Sequence, residues 1–167
     1  MSRINEDYEC DDTASFLRSC AFSGNIRRSV AGKKGRKFLS ELESALLALP
    51  AKRLVLGTMA EAREEGCPGA SPVVPTGEVC ALGAVAIARA VAEGVPREEA
   101  LAQLAKKFDP SEDGWTLTSE AAHHLKICHP LAYAVVYQND VGSARTPEQR
   151  YDNVLAWVQR KLKGEPE

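Results

Sequence analysis

Six cations crowd one short stretch of the chain. Arg27, Arg28, Lys33, Lys34, Arg36 and Lys37 follow one another with no acid between them. A cluster of this kind can neutralise several phosphates, and Gly32 and Gly35 beside it would let backbone approach a phosphate closely. It is not a Walker A loop, because the order Gly-Lys-Lys-Gly lacks the GxxxxGK[ST] spacing and no strand clearly precedes it. Three readings stay open: nucleic acid, an acidic protein surface, or a solvated helix face. In the last case the acidic residues near the N-terminus (Glu6, Asp7, Glu9, Asp11, Asp12) fold back and cancel the field.

Other groups that carry chemistry are sparser. His123, His124, Cys128 and His129 lie close together, and on a continuous helix His124 and Cys128 would sit one turn apart. A fourth ligand would have to come from elsewhere, Cys67 or Asp109 for example. The spacing matches no strong zinc signature, so no metal is assigned. Cys80 near a helix start, with a histidine and Asn139 or Asp140, would make a Cys/His/Asn nucleophile on paper, the helix dipole favouring the thiolate. Its apolar surroundings make it a small core residue instead. The pairs Glu64-Glu65, Glu98-Glu99 and Glu112-Asp113 are adjacent in sequence, so their side chains diverge and act as solubility charges. No catalytic residue and no cofactor-binding motif emerges. Trp115 and Trp157 are the two residues best suited to anchor a partner. Each also has a packing reading, Trp115 closing the end of the core and Trp157 widening the buried face of the last helix.

The elements that must position these groups follow from apolar spacing. At 167 residues, 44% hydrophobic and with a formal net charge of −2, the chain suits one domain with a real core. No global charge selects a partner. The stretch Gly77–Val91 is the most apolar, and its Val, Leu and Ile side chains spread round the whole circumference. That pattern predicts a central buried helix over about 77–93, capped by Thr76 and stopped by Gly94 and Pro96. Phe22, Ile26 and Val30 predict a helix before a break at Gly32–Gly35. Phe38, Leu42, Ala45, Leu46 and Leu49 then predict an amphipathic one over Arg36–Leu49. Leu101, Leu104, Ala105 and Phe108 form a further stripe, Thr118 would cap Ser119–Ile127, and Leu131–Gln138 follows Pro130. Thr146, Pro147 and Gln149 spell a capping box for the last helix.

Residues 1–12 read as an acidic arm, 13–163 as a single helical domain, 64–76 as a Pro/Gly-rich loop and 164–167 as a fraying tail. Val73-Val74 and Leu54–Leu56 are short enough to be either loop or a small two-stranded β ribbon. The fold class is therefore mainly α, an irregular helical bundle about one buried helix. The apolar run is too short for a membrane span and carries Arg89. The five cysteines show no CxxC, which suits reduced thiols in a cytoplasm. An all-round apolar helix can be covered within one chain or across a homodimer.

Three segments together, GRKFLSELESALLALPAKRL, GEVCALGAVAIARA, and YQND followed by TPEQRYDNVLAWV, resemble a widespread family of small proteins from tailed bacteriophages and prophages. The resemblance covers roughly residues 25–160. It departs at the proline-rich insert Glu64–Pro75 and at Cys128-His129-Pro130. That family offers no catalytic residues to transfer. The resemblance implies a context: a non-enzymatic phage accessory protein in a bacterial cytoplasm that binds a host or phage protein. An inhibitor of an antiviral defence system, of the anti-CRISPR kind or another, is one form of it. The alternative is a nucleic-acid-binding module using residues 27–37.

Overall fold

The computed structural model describes residues 22–64, 73–108, 114–140 and 146–165. The acidic arm, residues 13–21, most of the 64–76 loop and residues 109–113, 141–145 and 166–167 lie outside the described residues. What is described is one compact, mainly helical domain with a two-stranded antiparallel sheet. No helix among the described residues is long and apolar enough to cross a membrane.

The chain enters through α1 (22–31) and turns at Gly32 into α2 (Lys33–Leu47). The expected four-residue break is a single residue. Gly35 is already inside α2 and buried, and a Cβ there would lie 1.8 Å from the Ser29 carbonyl oxygen. Its lack of a side chain lets the end of α1 press onto the start of α2. Phe38, Leu39, Leu42, Ala45 and Leu46 then form the buried stripe of α2.

Leu54 and Val55 are buried but form no strand. The Leu54 N–H donates to the Pro147 carbonyl at 3.0 Å, and the Val55 N–H to the Val79 carbonyl at 3.1 Å. The ribbon is made instead by β1 (Ala60–Glu64) against β2 (Val73–Val79). Val73 and Val74 pair with Glu64 and Arg63, not with Leu54–Leu56, and a bulge falls between Ala60 and Ala62.

The central helix α3 runs over Ala81–Ala92, four residues shorter at its start than its apolar run predicts. Gly77 takes a left-handed φ of 86° within β2, so residues 77–79 belong to the bulged strand. Cys80, not Thr76, is the N-cap, its sulfur accepting the Gly83 N–H at 3.4 Å. Thr76 donates to the Glu61 carboxylate at 3.0 Å instead. Every residue from Ala81 to Ile87 is buried. Helices α2, α4 (Arg97–Lys107), α5 (Gly114–Leu125) and α6 (His129–Asp140) all pack on α3. Helix α5 starts before Thr118, which lies buried inside it and does not cap it. Helix α7 (Pro147–Lys163) packs on α2 and α6. Its capping box is present, with Thr146 and Gln149 exchanging bonds of 3.2 Å, and Gly164 closes it at a φ of 80°.

Candidate functional site: a basic face and a polar knot

Arg27, Arg28, Lys33, Lys34, Arg36 and Lys37 are all exposed in the fold. Lys33, Arg36 and Lys37 are spaced three and four apart, opposite the buried stripe of Phe38, Leu39 and Leu42, so they share the outer side of α2. Arg28 donates to Asn25 at 2.6 Å. Arg36 reaches across to α7 and donates to the Leu162 carbonyl at 2.7 Å. The three ion pairs among the described residues lie elsewhere, at Arg53–Glu78, Arg53–Glu148 and Arg89–Glu41. Gly32 and Gly35 do not open a backbone cradle. Gly35 faces the Ser29 carbonyl, whose partial negative charge would oppose a phosphate there.

Trp157 is not an exposed anchor. It is buried in the stripe of Tyr151, Val154 and Val158 on α7, and its Nε1–H has no partner among the described residues. The reason is width: α7 is covered by both α2 and α6, so its buried arc extends past the main apolar row. Trp115 falls in the first turn of α5, and its side chain lies outside the description.

Cys80, Asn139 and Asp140 do come together, without a histidine. Asn139 is buried, and its Oδ1 accepts the Ala81 N–H at 3.2 Å. Its Nδ2 donates to the Val55 carbonyl at 2.8 Å and to Asp140 Oδ1 at 2.5 Å. Burial pushes the Cys80 thiol up to about 12, and the nearby Asp140 charge adds to the rise; the Gly83 N–H opposes it. Desolvation thus outweighs the helix terminus, and this sulfur stays protonated. It lies 4.0 Å from Met59 Sδ. Burial likewise raises the Asp140 carboxyl, against the Asn139 amide, the Gly57 N–H and Arg150. The cavity beside these residues, between Met59, Leu82, Leu117 and Val135, holds about 50 Å³. That volume suits a water or two and not a substrate, since small-molecule sites run to roughly 300–1,000 Å³.

The histidines do not converge. Helix α5 ends at Leu125, so His124 and Cys128 are not one helical turn apart. His124 packs edge-on to Phe108 with ring centroids 5.6 Å apart, and its Nδ1 lies 3.0 Å from Lys107 Nζ. Burial, then the Lys107 charge, holds its pKa below the ordinary value. Among the described residues no group of three potential metal ligands assembles. Of the carboxylate pairs, Glu98-Glu99 lies on the first turn of α4, where Glu99 accepts a bond from Gln103 at 3.0 Å.

Sequence reasoning missed two polar tethers. Arg89, on the outer part of α3, grips Glu41 of α2 through two bonds of 2.5 and 2.8 Å and donates to the Leu125 carbonyl at 2.6 Å. A lone arginine inside an apolar helix was the available signal, because such a charge needs a partner. Asn139 gave no comparable signal. The chain matches no protein-family model, no curated protein and no solved structure.

Proposed function

We propose that this protein is a non-enzymatic accessory protein of a bacteriophage or prophage. It acts in the bacterial cytoplasm by binding a host or phage protein, inhibition of an antiviral defence system being one such role. The observation that supports this is where the segments GEVCALG, YQND and TPEQ lie. Asn139 of YQND holds the Ala81 N–H of GEVCALG, and Pro147 of TPEQ holds Leu54 at the end of the first segment. These segments keep one scaffold together, and none presents an activated nucleophile or a matched acid and base. Leu47, Leu56, Val91 and Tyr137 are exposed apolar side chains available to a protein partner.

The test is capture of tagged protein from a phage-infected bacterial host, with half of the lysate treated with nuclease. One protein retained in stoichiometric amount after nuclease, and rebound when both are purified, supports the reading. Recovery of nucleic acid alone overturns it. A second reading, a nucleic-acid-binding module, is favoured by the exposed cations over residues 27–37.

A further inference from the structure

We propose that the ends of three helices form one continuous cationic face that binds the sugar–phosphate backbone of duplex nucleic acid without reading sequence. The inference rests on the nucleic-acid reading and extends it to residues far away in the chain. Arg36 is the link: its guanidinium donates to the Leu162 carbonyl at 2.7 Å and so fixes the last turn of α7 against the first turn of α2. That last turn is itself basic. Arg160 and Lys163 are exposed and three apart, turned away from the buried Val154, Trp157 and Val158. They therefore join Arg27, Arg28, Lys33, Lys34, Arg36 and Lys37 as one surface. No spacing rule would have grouped residues separated by more than a hundred positions.

The composition of the face selects the partner. Protein interfaces draw their energy from a few desolvated aromatic or aliphatic anchors. Among the described residues the exposed large apolar side chains are Leu47, Leu56, Val91 and Tyr137. None belongs to these helix ends: Leu47 is at the far end of α2, about 20 Å from Lys33 at 1.5 Å per residue. A surface of cations without an apolar centre suits phosphates, whose contacts release counterions and need no anchor. Single strands are held largely by stacking on aromatic rings. The named face carries none, so a duplex, whose phosphates are fixed in space, is the better fit. The cations sit on helices whose inner sides are buried, so the backbone that carries them is set before binding.

The experiment is fluorescence anisotropy of a labelled DNA duplex of about 20 bp with the full chain, from about 50 to about 300 mM salt. A single strand of the same length and two unrelated duplex sequences are run beside it. The variants are K33E/K34E, R160E/K163E and, as a control on another exposed face, K106E. Both double variants are expected to weaken duplex binding by about tenfold or more and to flatten the salt slope by about 2, with K106E near wild type and the two sequences binding alike. Melting temperatures check folding, and the milder R160Q/K163Q replaces R160E/K163E if that variant unfolds. If K33E/K34E weakens binding and the α7 variant does not, the continuous face is wrong while the nucleic-acid reading stands. If neither a duplex nor the single strand binds at low salt, both fall. Tighter binding of the single strand, or of one duplex sequence, overturns the duplex-backbone assignment.

Discussion

Asn139 Oδ1 accepts the N–H of Ala81, the first residue of the central helix, at 3.2 Å. The first amides of a helix have no partner within it, and this one is buried. The same amide side chain holds the Val55 carbonyl at 2.8 Å. One residue thus satisfies two backbone groups from two other parts of the chain. Asn139→Ala should leave both unpaired and cost about 2–4 kcal/mol. Asn139→Asp should cost more, because it loses the donor and sets a second carboxylate beside Asp140. Urea unfolding of both variants checks this, and a change within experimental error for Asn139→Ala would remove Asn139 from the scaffold.

Glycines make a graded test of backbone approach. A Cβ on Gly83 would lie 1.9 Å from the Met59 carbonyl oxygen, and one on Gly35 1.8 Å from that of Ser29. Both obstacles are backbone and cannot rotate away. Gly83→Ala and Gly35→Ala should each destabilise by about 1–3 kcal/mol or more, as overpacking does. Gly24, in α1, has nothing among the described residues within 4 Å of the same point. There Ala should stabilise by about 0.5–1 kcal/mol through helix propensity. Thermal melts of the three variants should therefore move in opposite directions.

These two tests also mark what the chain made readable. Apolar spacing located α2, α4 and α7, because a stripe opposite charges has only one way to be buried, and α3 because a helix apolar all round must be wrapped on every side. The capping box at Thr146 was legible because its chemistry is local. The ribbon partner was not, since Leu54–Leu56 has the apolar character of a strand while Ala60–Glu64 (Ala-Glu-Ala-Arg-Glu) has none of it, and the bulge at Gly77 decides where strand gives way to helix. Thr76 looked like a cap because hydroxyl residues usually are; Cys80 took the place through its sulfur. The basic cluster was visible, but its extension onto α7 depends on Arg36 reaching Leu162. Of the two readings open for Trp157, the structure shows the packing one: it widens the buried face of α7, which α2 and α6 both cover.

The Arg89–Glu41 pair gives stability a pH dependence with a definite sign. The Arg89 side chain holds the Glu41 carboxyl below its ordinary value, against the desolvation that raises it. A depressed carboxyl contributes fully above the unfolded-state value of about 4.5 and loses its contribution as pH falls through the lower folded value. His124 acts nearer neutrality with the same slope, since its folded pKa lies below about 6.5 and the unfolded chain takes the proton first. Stability should thus fall twice on acidification, first below about pH 6.5 and again below about 4.5. Glu41→Gln should cost about 1–2 kcal/mol at neutral pH, discounted for partial exposure, and shrink the lower step. His124→Gln should flatten the upper one. Denaturant midpoints measured across this range separate the two.

The cysteines test the claim that this fold has no thiol nucleophile at its central helix. A helix N-terminus alone would lower a thiol pKa. Here burial wins and lifts Cys80 to about 12, so almost none of it is thiolate at neutral or mildly basic pH. Cys128 is exposed in the segment between α5 and α6. Brief iodoacetamide treatment of the native protein near pH 8, followed by peptide mass analysis, should modify Cys128 and leave Cys80 intact until the chain is unfolded. Cys80→Ala should lose the cap to the Gly83 N–H and cost about 1 kcal/mol, and Cys80→Ser should recover part of it. Rapid native alkylation of Cys80 would mean that the cavity near Met59 admits reagents to a thiolate, and the assignment of Cys80 to the scaffold would fail.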